Sequence, residues 1–343
     1  MRSAFTQQNI DAFLVQSDVN ITYLTGFPAS ESWLFITPKN MYYITDFRYI
    51  LEARKGLKGI TVKQYTKSIY ETLFSIVKDE KIKRIGIDER HVILAQYKIL
   101  TRKCPKRVKL VKADNLVEHL REIKDAGEIA KIKKALRIHK QAHQFLKKII
   151  KPKISEKEVL LKLTNFVKSK GVEFSFDPIV ACGPNSAYPH AKVTDRKIRM
   201  NEPVLIDMGI DVEGYKSDLT RMFFLGKIPE LVRQVNDHVD RAQKAAIGKI
   251  QAGISIAAVD FEARNYLESQ GLAKYFGHAL GHGVGLDIHE DPRLAQSNSE
   301  VLREGMVITV EPAVYIPNKF GIRIEDMVLV TKKGCKVLSG DIN

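Results

Sequence analysis

This chain is poor in cysteine: it has three, Cys104, Cys182 and Cys335, an odd number scattered over 343 residues. They suit neither a disulfide framework nor a CxxC zinc site, and they point to a reducing cytoplasm. No apolar run reaches the roughly 18 residues that a membrane-spanning helix needs, so no membrane is expected as a partner. The opening segment, MRSAFTQQNIDAFLVQSDVN, lacks the continuous apolar stretch of a secretory signal. A recognisable nucleic-acid module is missing too, despite a net charge of +15. That charge is local: residues 98–151 hold 17 Lys and Arg against 5 Asp and Glu, whereas residues 152–343 hold 25 of each. Only Phe145 interrupts the basic run, too little to stack bases, so it reads as a solvated helical face and no nucleic acid is expected.

What is present is ordinary for a globular protein, 44% apolar and 28% charged. The length favours two domains over one core. Residues 1–115 read as an α/β unit, with short strands near 13–16, 33–37, 41–45, 60–65 and 84–88 and helices near 48–57, 69–81 and 92–103. No cluster of His, Cys, Asp and Glu is legible there, so a substrate-capping or oligomerisation role is the economical reading. A linker helix follows at 116–125, and residues 126–343 form the second domain. The amphipathic pattern through 150 breaks near Gly127 and ends at Pro152. Ser155 with Glu158 then makes a capping box that opens a helix to about Lys170. His139 and His143 have the i, i+4 spacing of two ligands on one helix face. With no acid beside them in a cationic stretch, they read as solvated. Beyond 171 the pattern is strand-rich, with helices near 230–252 and 255–270.

Four polar segments in this second part share a theme. VLIDMGIDVEGYKSDLTR (204–221) reads as a hairpin whose loop, Asp211–Gly214, puts Asp207 opposite Asp218. Facing Cβ atoms lie about 4.5–5.5 Å apart, where like charges are destabilising. Either one acid caps the turn and the other meets water, or a proton or cation lies between them. VITVEPAVYIPNKFGIRIEDMVLV (307–330) repeats the arrangement. Folding about Asn318 sets Glu311 opposite Glu325, with Arg323 on the same face and Asp326 turned away to solvent. Between the hairpins, FGHALGHGVGLDIHE (276–290) interleaves His278, His282 and His289 with glycines. Its GHGVG lacks the strand-to-helix context of a dinucleotide loop. In ACGPNSAYPHAKVTD (181–195), His190 follows Pro189 in a loop. Four carboxylates and one histidine are the inventory for two divalent ions roughly 3.5–4 Å apart. Such an oxygen-rich set favours Mn, Fe(II), Co or Zn.

LIDMG…GYKSDLTR, GHALGHGVGLDIHE, VEP and IRIED resemble the Xaa-Pro peptidases of the pita-bread metallopeptidase superfamily, which includes prolidases, aminopeptidase P and methionine aminopeptidase. ITYLTGFPASE (21–31) and YITDFRY (43–49) resemble the creatinase-type N-terminal domain of prolidases. LREIKDAGEIAKIKKA resembles the helix that opens their catalytic domain, and ACGPNSAYPHA the loop carrying their substrate-binding histidine. The resemblance implies an α/β chain: a creatinase-like N-terminal domain, then a pita-bread catalytic domain with a curved antiparallel sheet flanked by helices.

It further implies that Asp207, Asp218, His282, Glu311 and Glu325 hold two divalent metal ions (Mn, Co, Zn or Fe). Asp218 and Glu325 would bridge the ions, Asp207 would complete one, and His282 with Glu311 the other. His190, His278 and His289 would orient substrate and stabilise the tetrahedral intermediate, Glu311 would shuttle the proton, and Arg323 would help place a carboxylate. The implied reaction is hydrolysis of the bond preceding proline by a metal-bridging hydroxide, in Xaa-Pro dipeptides as in prolidase. The alternative is removal of the first residue from longer peptides, as in aminopeptidase P. A homodimer is implied as well. Because all five ligand positions are filled, a creatinase or a basic interaction module on the same fold is disfavoured. One departure is Tyr188, where prolidases more often carry a small or aliphatic residue, and it bears on the preferred first residue of the substrate.

Overall fold

Apolar runs as continuous as AFLV and WLFI need cover on both faces, and they receive it. The computed structural model describes residues 3–342, in two units, Met1–Arg121 and Glu122–Asn343. In the first unit, β1 (Ala12–Val15), β2 (Trp33–Ile36), β3 (Met41–Thr45), β4 (Thr61–Gln64), β5 (Arg84–Ile87) and β6 (Lys109–Lys112) form one sheet in the order β4-β3-β2-β1-β5-β6. It is mixed: β1–β2 and β2–β3 run antiparallel, the other pairs parallel. The helices are α1 (Ala4–Gln7), α2 (Asp18–Thr25), α3 (Ile50–Gly56), α4 (Ile69–Asp79), α5 (Leu94–Lys103) and α6 (Glu118–Arg121). Phe13, Val15, Leu34 and Ile36 pack with Ile21 and Ala53 on one face, while Leu14, Phe35 and Ile44 pack with Leu73, Ile76 and Leu100 on the other. Three elements escape the sequence reading, α1, α2 and β6. The run DVNITYLT is β-prone in composition, but Ser17 caps it as a helix and Gly26, at φ 67°, ends it.

The second unit states one plan twice. Helices α7 (Ala126–Ile149) and α8 (Glu156–Ser169) precede β7 (Glu173–Phe174), β8 (Ile179–Cys182), β9 (Pro203–Met208), β10 (Ile210–Val212), β11 (Tyr215–Lys216) and β12 (Leu219–Phe224). Helices α9 (Glu230–Lys249) and α10 (Ile256–Ser269) precede β13 (Gly281–Gly283), β14 (Glu290–Leu294), β15 (Val307–Val310), β16 (Ala313–Ile316), β17 (Phe320–Arg323), β18 (Asp326–Thr331) and β19 (Gly334–Val337). Each helix pair turns through a left-handed residue, an isoleucine and a serine at the N-cap position: Lys153 (φ 75°), Ile154, Ser155, then Gly253 (φ 87°), Ile254, Ser255. In the first half, Ala142, Leu146, Val159 and Leu163 cover Val180, Val204 and Ile206 of the sheet β8-β9-β12. In the second, Val235, Val239, Val259 and Ala263 belong to one core with Ile308, Val328 and Ile322.

Helix α7 refines one expectation and corrects another. The break expected near Gly127 is present, between α6 and α7, but Gly127 does not make it. Asp125 caps the helix by accepting from the Glu128 amide, the Glu128 carboxylate answers on the Asp125 amide, and Gly127 lies in the first turn. His139 and His143 are not solvated but buried among Ala135, Ala142 and Leu146. His139 Nδ1 lies 3.2 Å from Ser217 Oγ, and the His143 ring packs on Phe223. The basic side of the helix does face solvent, with Lys134, Arg137, Lys147 and Lys148 exposed.

The hairpins divide between one correction and one agreement. Val212 pairs with Tyr215, so the first loop is only Glu213–Gly214, both left-handed at φ 55° and 84°. That is a two-residue hairpin turn whose twist matches its strands. The tighter turn slips the register: Asp207 pairs with Thr220, not Asp218. The second hairpin folds about Asn318 (φ 61°) as expected, with Ile316 opposite Phe320. Its register is the same on both sides of a break, Ala313 with Arg323 and Val310 with Asp326, which sets Glu311 level with Glu325.

Candidate metal centre

Asp218, His282 and Glu325 bring one ligand atom each into a group whose members all lie within 4.8 Å of one another. The strand β13 delivers His282. Its amide is held by Thr309 Oγ1 at 3.0 Å, and its Nδ1 donates to the Gly283 carbonyl at 3.0 Å. That bond fixes the tautomer, because a carbonyl only accepts, and leaves the Nε2 lone pair free to ligate. Nε2 lies 3.5 Å from both Asp218 Oδ2 and Glu311 Oε1. Glycine on either side lets β13 come this close: a Cβ at Gly281 would strike the Thr309 carbonyl, and one at Gly283 the Asp291 carbonyl.

Asp207 and Glu325 meet through shared partners. The Thr220 hydroxyl donates to Glu325 Oε2 at 2.8 Å and accepts from Arg323 Nε at 2.8 Å. Arg323 pairs with Asp207 Oδ2 at 2.5 Å and donates to the Tyr315 hydroxyl at 2.6 Å. Tyr315 lies 3.3 Å from His278 Nε2, and His278 Nδ1 donates to the Ala279 carbonyl. Arg323 is therefore buried at the centre of a chain from Asp207 to His278. Asp326, expected to face solvent, is no surface acid. It receives Arg221 at 2.7 Å and Ser339 at 2.6 Å. The ring of His289 lies 4.3 Å from that of His282, whereas His190 and Tyr188 stand exposed on the loop after β8.

The electrostatics call for a cation. Burial pushes the carboxyls of Asp207, Asp218 and Glu325 up, and that of Glu311 to about 8. For Asp218 the charges of Glu325, Asp207 and Glu311 add to the rise. Burial also drives His278 and His282 down to about 4, so both are neutral near pH 7. Against four acids, the ion pairs among the described residues supply Arg323 to Asp207. Asp207 Oδ1 remains buried with no hydrogen-bond partner. An orphaned carboxylate oxygen beside a neutral imidazole lone pair and crowded acids fits a pair of divalent ions.

The first unit holds a second group, Asp88, His91 and Glu118, where sequence had shown no cluster. Glu118 lies 27 residues beyond His91, past the stretch in which a cluster was sought. Arg90 sits 3.2 Å from Asp88 and 2.8 Å from Glu118, so the chain carries its own cation there. Of the residues in the second unit's network, Thr220 and Tyr315 went unread. Period two along their strands places them on the faces of Asp218 and Glu311, a signal that was available.

Residues 130–332 match metallopeptidase family M24, and residues 1–123 match the creatinase/prolidase N-terminal domain. The solved structure of an Xaa-Pro dipeptidase from Bacillus anthracis superimposes with a TM-score of 0.95 at 34% identity, covering 99% of this chain and 96% of that one. An X-Pro aminopeptidase from Thermotoga maritima gives 0.90 at 33% identity, covering 98% and 97%. The Xaa-Pro dipeptidase of Pyrococcus horikoshii is 36% identical over 338 residues, 97% of this chain and 93% of the relative. The fold class expected from sequence, a creatinase-like α/β domain before a pita-bread domain, is the fold of these neighbours. Matched to its family through most of the second unit and to its relatives end to end, the chain belongs to metallopeptidase family M24.

Proposed function

We propose that this enzyme hydrolyses the peptide bond preceding proline, with Xaa-Pro dipeptides as its main substrates, at a centre of two divalent ions. The observation that carries the reading is the convergence of Asp218, His282 and Glu325 beside an Asp207 oxygen that has no partner. Relatives named for both dipeptidase and aminopeptidase activity support the substrate class.

In this reading Asp207, Asp218, His282, Glu311 and Glu325 would hold the ions. When bound, the two ions supply Lewis acidity and a water acidic enough to react near neutral pH. Glu311, which is ionised when it ligates, takes the proton of the attacking water and passes it to the departing proline nitrogen. Neutral His278, its Nδ1 proton on the Ala279 carbonyl and its Nε2 accepting from the Tyr315 hydroxyl, is held in place to orient the peptide, while His190 and His289 orient it and meet the tetrahedral intermediate. Arg323 holds Asp207 in place. Because the Xaa–Pro bond has no N–H, selection falls on a pocket for the ring. Two further readings go with this one. Unpaired Cys104, Cys182 and Cys335 favour the cytoplasm, and exposed Phe47, Leu51, Ile93 and Leu94 favour a homodimer.

The test is hydrolysis of Ala-Pro and Met-Pro against an Xaa-Pro-Xaa tripeptide, after chelation and reloading with Mn, Co or Zn. Dipeptide cleavage in at least one metal is expected. Cleavage of the tripeptide alone makes the enzyme an aminopeptidase P.

Metal-free protein should also lose stability as pH rises from 6.5 to 8. Glu311 titrates at about 8 in the fold against its ordinary 4.5, so the stability of its protonated form is complete below 4.5 and lost as pH climbs through 8. His278 and His282, lowered from 6.5 to about 4, oppose this only below pH 6.5. Above that they are neutral folded or unfolded. The expected loss is about 2 kcal/mol, read by urea unfolding and reversed by Mn²⁺. A flat or rising profile contradicts it.

A further inference from the structure

Glu311 and Glu325 sit where the ladder between their strands stops. Pairing of β15 with β18 runs to Val310 and Asp326, and pairing of β16 with β17 runs to Ala313 and Arg323. Across that gap one long rung remains, from the Ile324 amide to the Pro312 carbonyl at 3.4 Å, while the Glu311 amide donates to the Leu280 carbonyl at 2.8 Å and the Glu325 amide to the Thr220 carbonyl at 3.3 Å. Each acid is thus tied to the segment that carries another ligand. Pro312 has no N–H to answer the Ile324 carbonyl, which lies one residue before an acid as the Val310 carbonyl does, and buried acceptors require donors.

One side chain serves both. Gln243, buried on α9, donates from Nε2 to Val310 O at 3.1 Å and to Ile324 O at 3.3 Å, and the same nitrogen lies 3.1 Å from Asp326 Oδ2. Asp326 is itself held by Arg221 and Ser339, and Arg221 donates in addition to the carbonyl of Glu325. These bonds go to the backbone behind the acids rather than to their carboxyls. Beside that single long rung, a side-chain amide reaching in from a helix helps set the spacing of the two strands.

We propose that Gln243 is a positioning residue for the metal-binding acids. It fixes the distance between the Glu311 and Glu325 backbones across the ladder gap, and through it the distance at which their carboxyls meet a pair of ions. The proposal rests on the assignment of both acids as ligands.

The test uses the full chain stripped of metal. Gln243→Met keeps the volume and removes the donor. Its Mn²⁺ titration by calorimetry and the visible spectrum of its Co²⁺ form are compared with those of the parent, beside thermal unfolding of the metal-free proteins. The weaker of the two Mn²⁺ ions is expected to bind at least ~10-fold more weakly, within the range for residues that orient ligands, and the Co²⁺ bands are expected to shift. If titration and spectrum overlay those of the parent, whatever the melting temperature does, Gln243 only fills space and the proposal falls. Should Gln243→Met not fold, Gln243→Asn, whose amide is one carbon short, is judged by the same overlay. A parent that takes up neither Mn²⁺ nor Co²⁺ overturns the functional reading itself, a result visible before any variant is made.

Discussion

Glu325→Gln and Asp218→Asn each abolish peptidase activity and lower bound metal, yet leave the metal-free protein at least as stable as its parent. Both acids are buried, and both are pushed up by burial and by neighbouring carboxyl charges. Neutralising one relieves repulsion in the empty centre while removing a ligand that no other residue replaces. Residues that merely orient ligands change metal affinity or activity by about 10–100-fold, so loss of a ligand should exceed that, by roughly 10³-fold in kcat/KM. Metal analysis after gel filtration, steady-state hydrolysis of an Xaa-Pro dipeptide and melting of the chelated proteins measure the three quantities. Either variant retaining two ions and parental turnover would remove these acids from the centre. A steep fall in apo stability would instead assign them a structural role.

Lys124→Met should unfold far more readily than the parent. The Lys124 side chain is 1% exposed and its ammonium lies 2.5 Å from Glu290 Oε1, itself 7% exposed. Removing the ammonium from a buried pair leaves a buried carboxylate less well compensated, at a cost of up to about 3–5 kcal/mol. That corresponds to a drop of roughly 10 °C in melting temperature for the unit concerned. The double variant Lys124→Met, Glu290→Leu should recover a large part of the loss, since an apolar pair needs no compensation. Equal melting of Lys124→Met and the parent would show the pair to be energetically idle. Glu290 follows His289 and lies opposite Gly283 in the strand pairing, so the double variant also asks whether this link steadies the histidine segment.

How much of this the sequence revealed depends on distance along the chain. The Glu311–Glu325 level was legible because a single left-handed Asn318 sets the fold of a short hairpin. Asp207 and Asp218 were misaligned because register depends on whether Glu213 accepts a left-handed backbone, and glutamate gives no sign that it will. His139 and His143 went the wrong way since their spacing is the same for a buried stripe as for a solvated one. Arg323 and Asp326 were assigned correctly to opposite faces, but both faces of that strand turned out to be covered. Gln243 lies 67 residues from Val310 and Lys124 lies 166 from Glu290, and a single sequence carries no local signal for such pairs.

The glycines around His282 have a consequence for anyone who wishes to re-engineer this enzyme. At 281 and 283 the obstacles to a side chain are the carbonyls of Thr309 and Asp291, main-chain atoms that cannot rotate aside as a flexible side chain could. Libraries that vary this strand should return almost nothing but glycine at both positions. Variation aimed at a different metal is better spent on the acids and their backing, where neighbouring side chains can adjust. The histidine strand is the least mutable part of the centre, and its neighbours make it so.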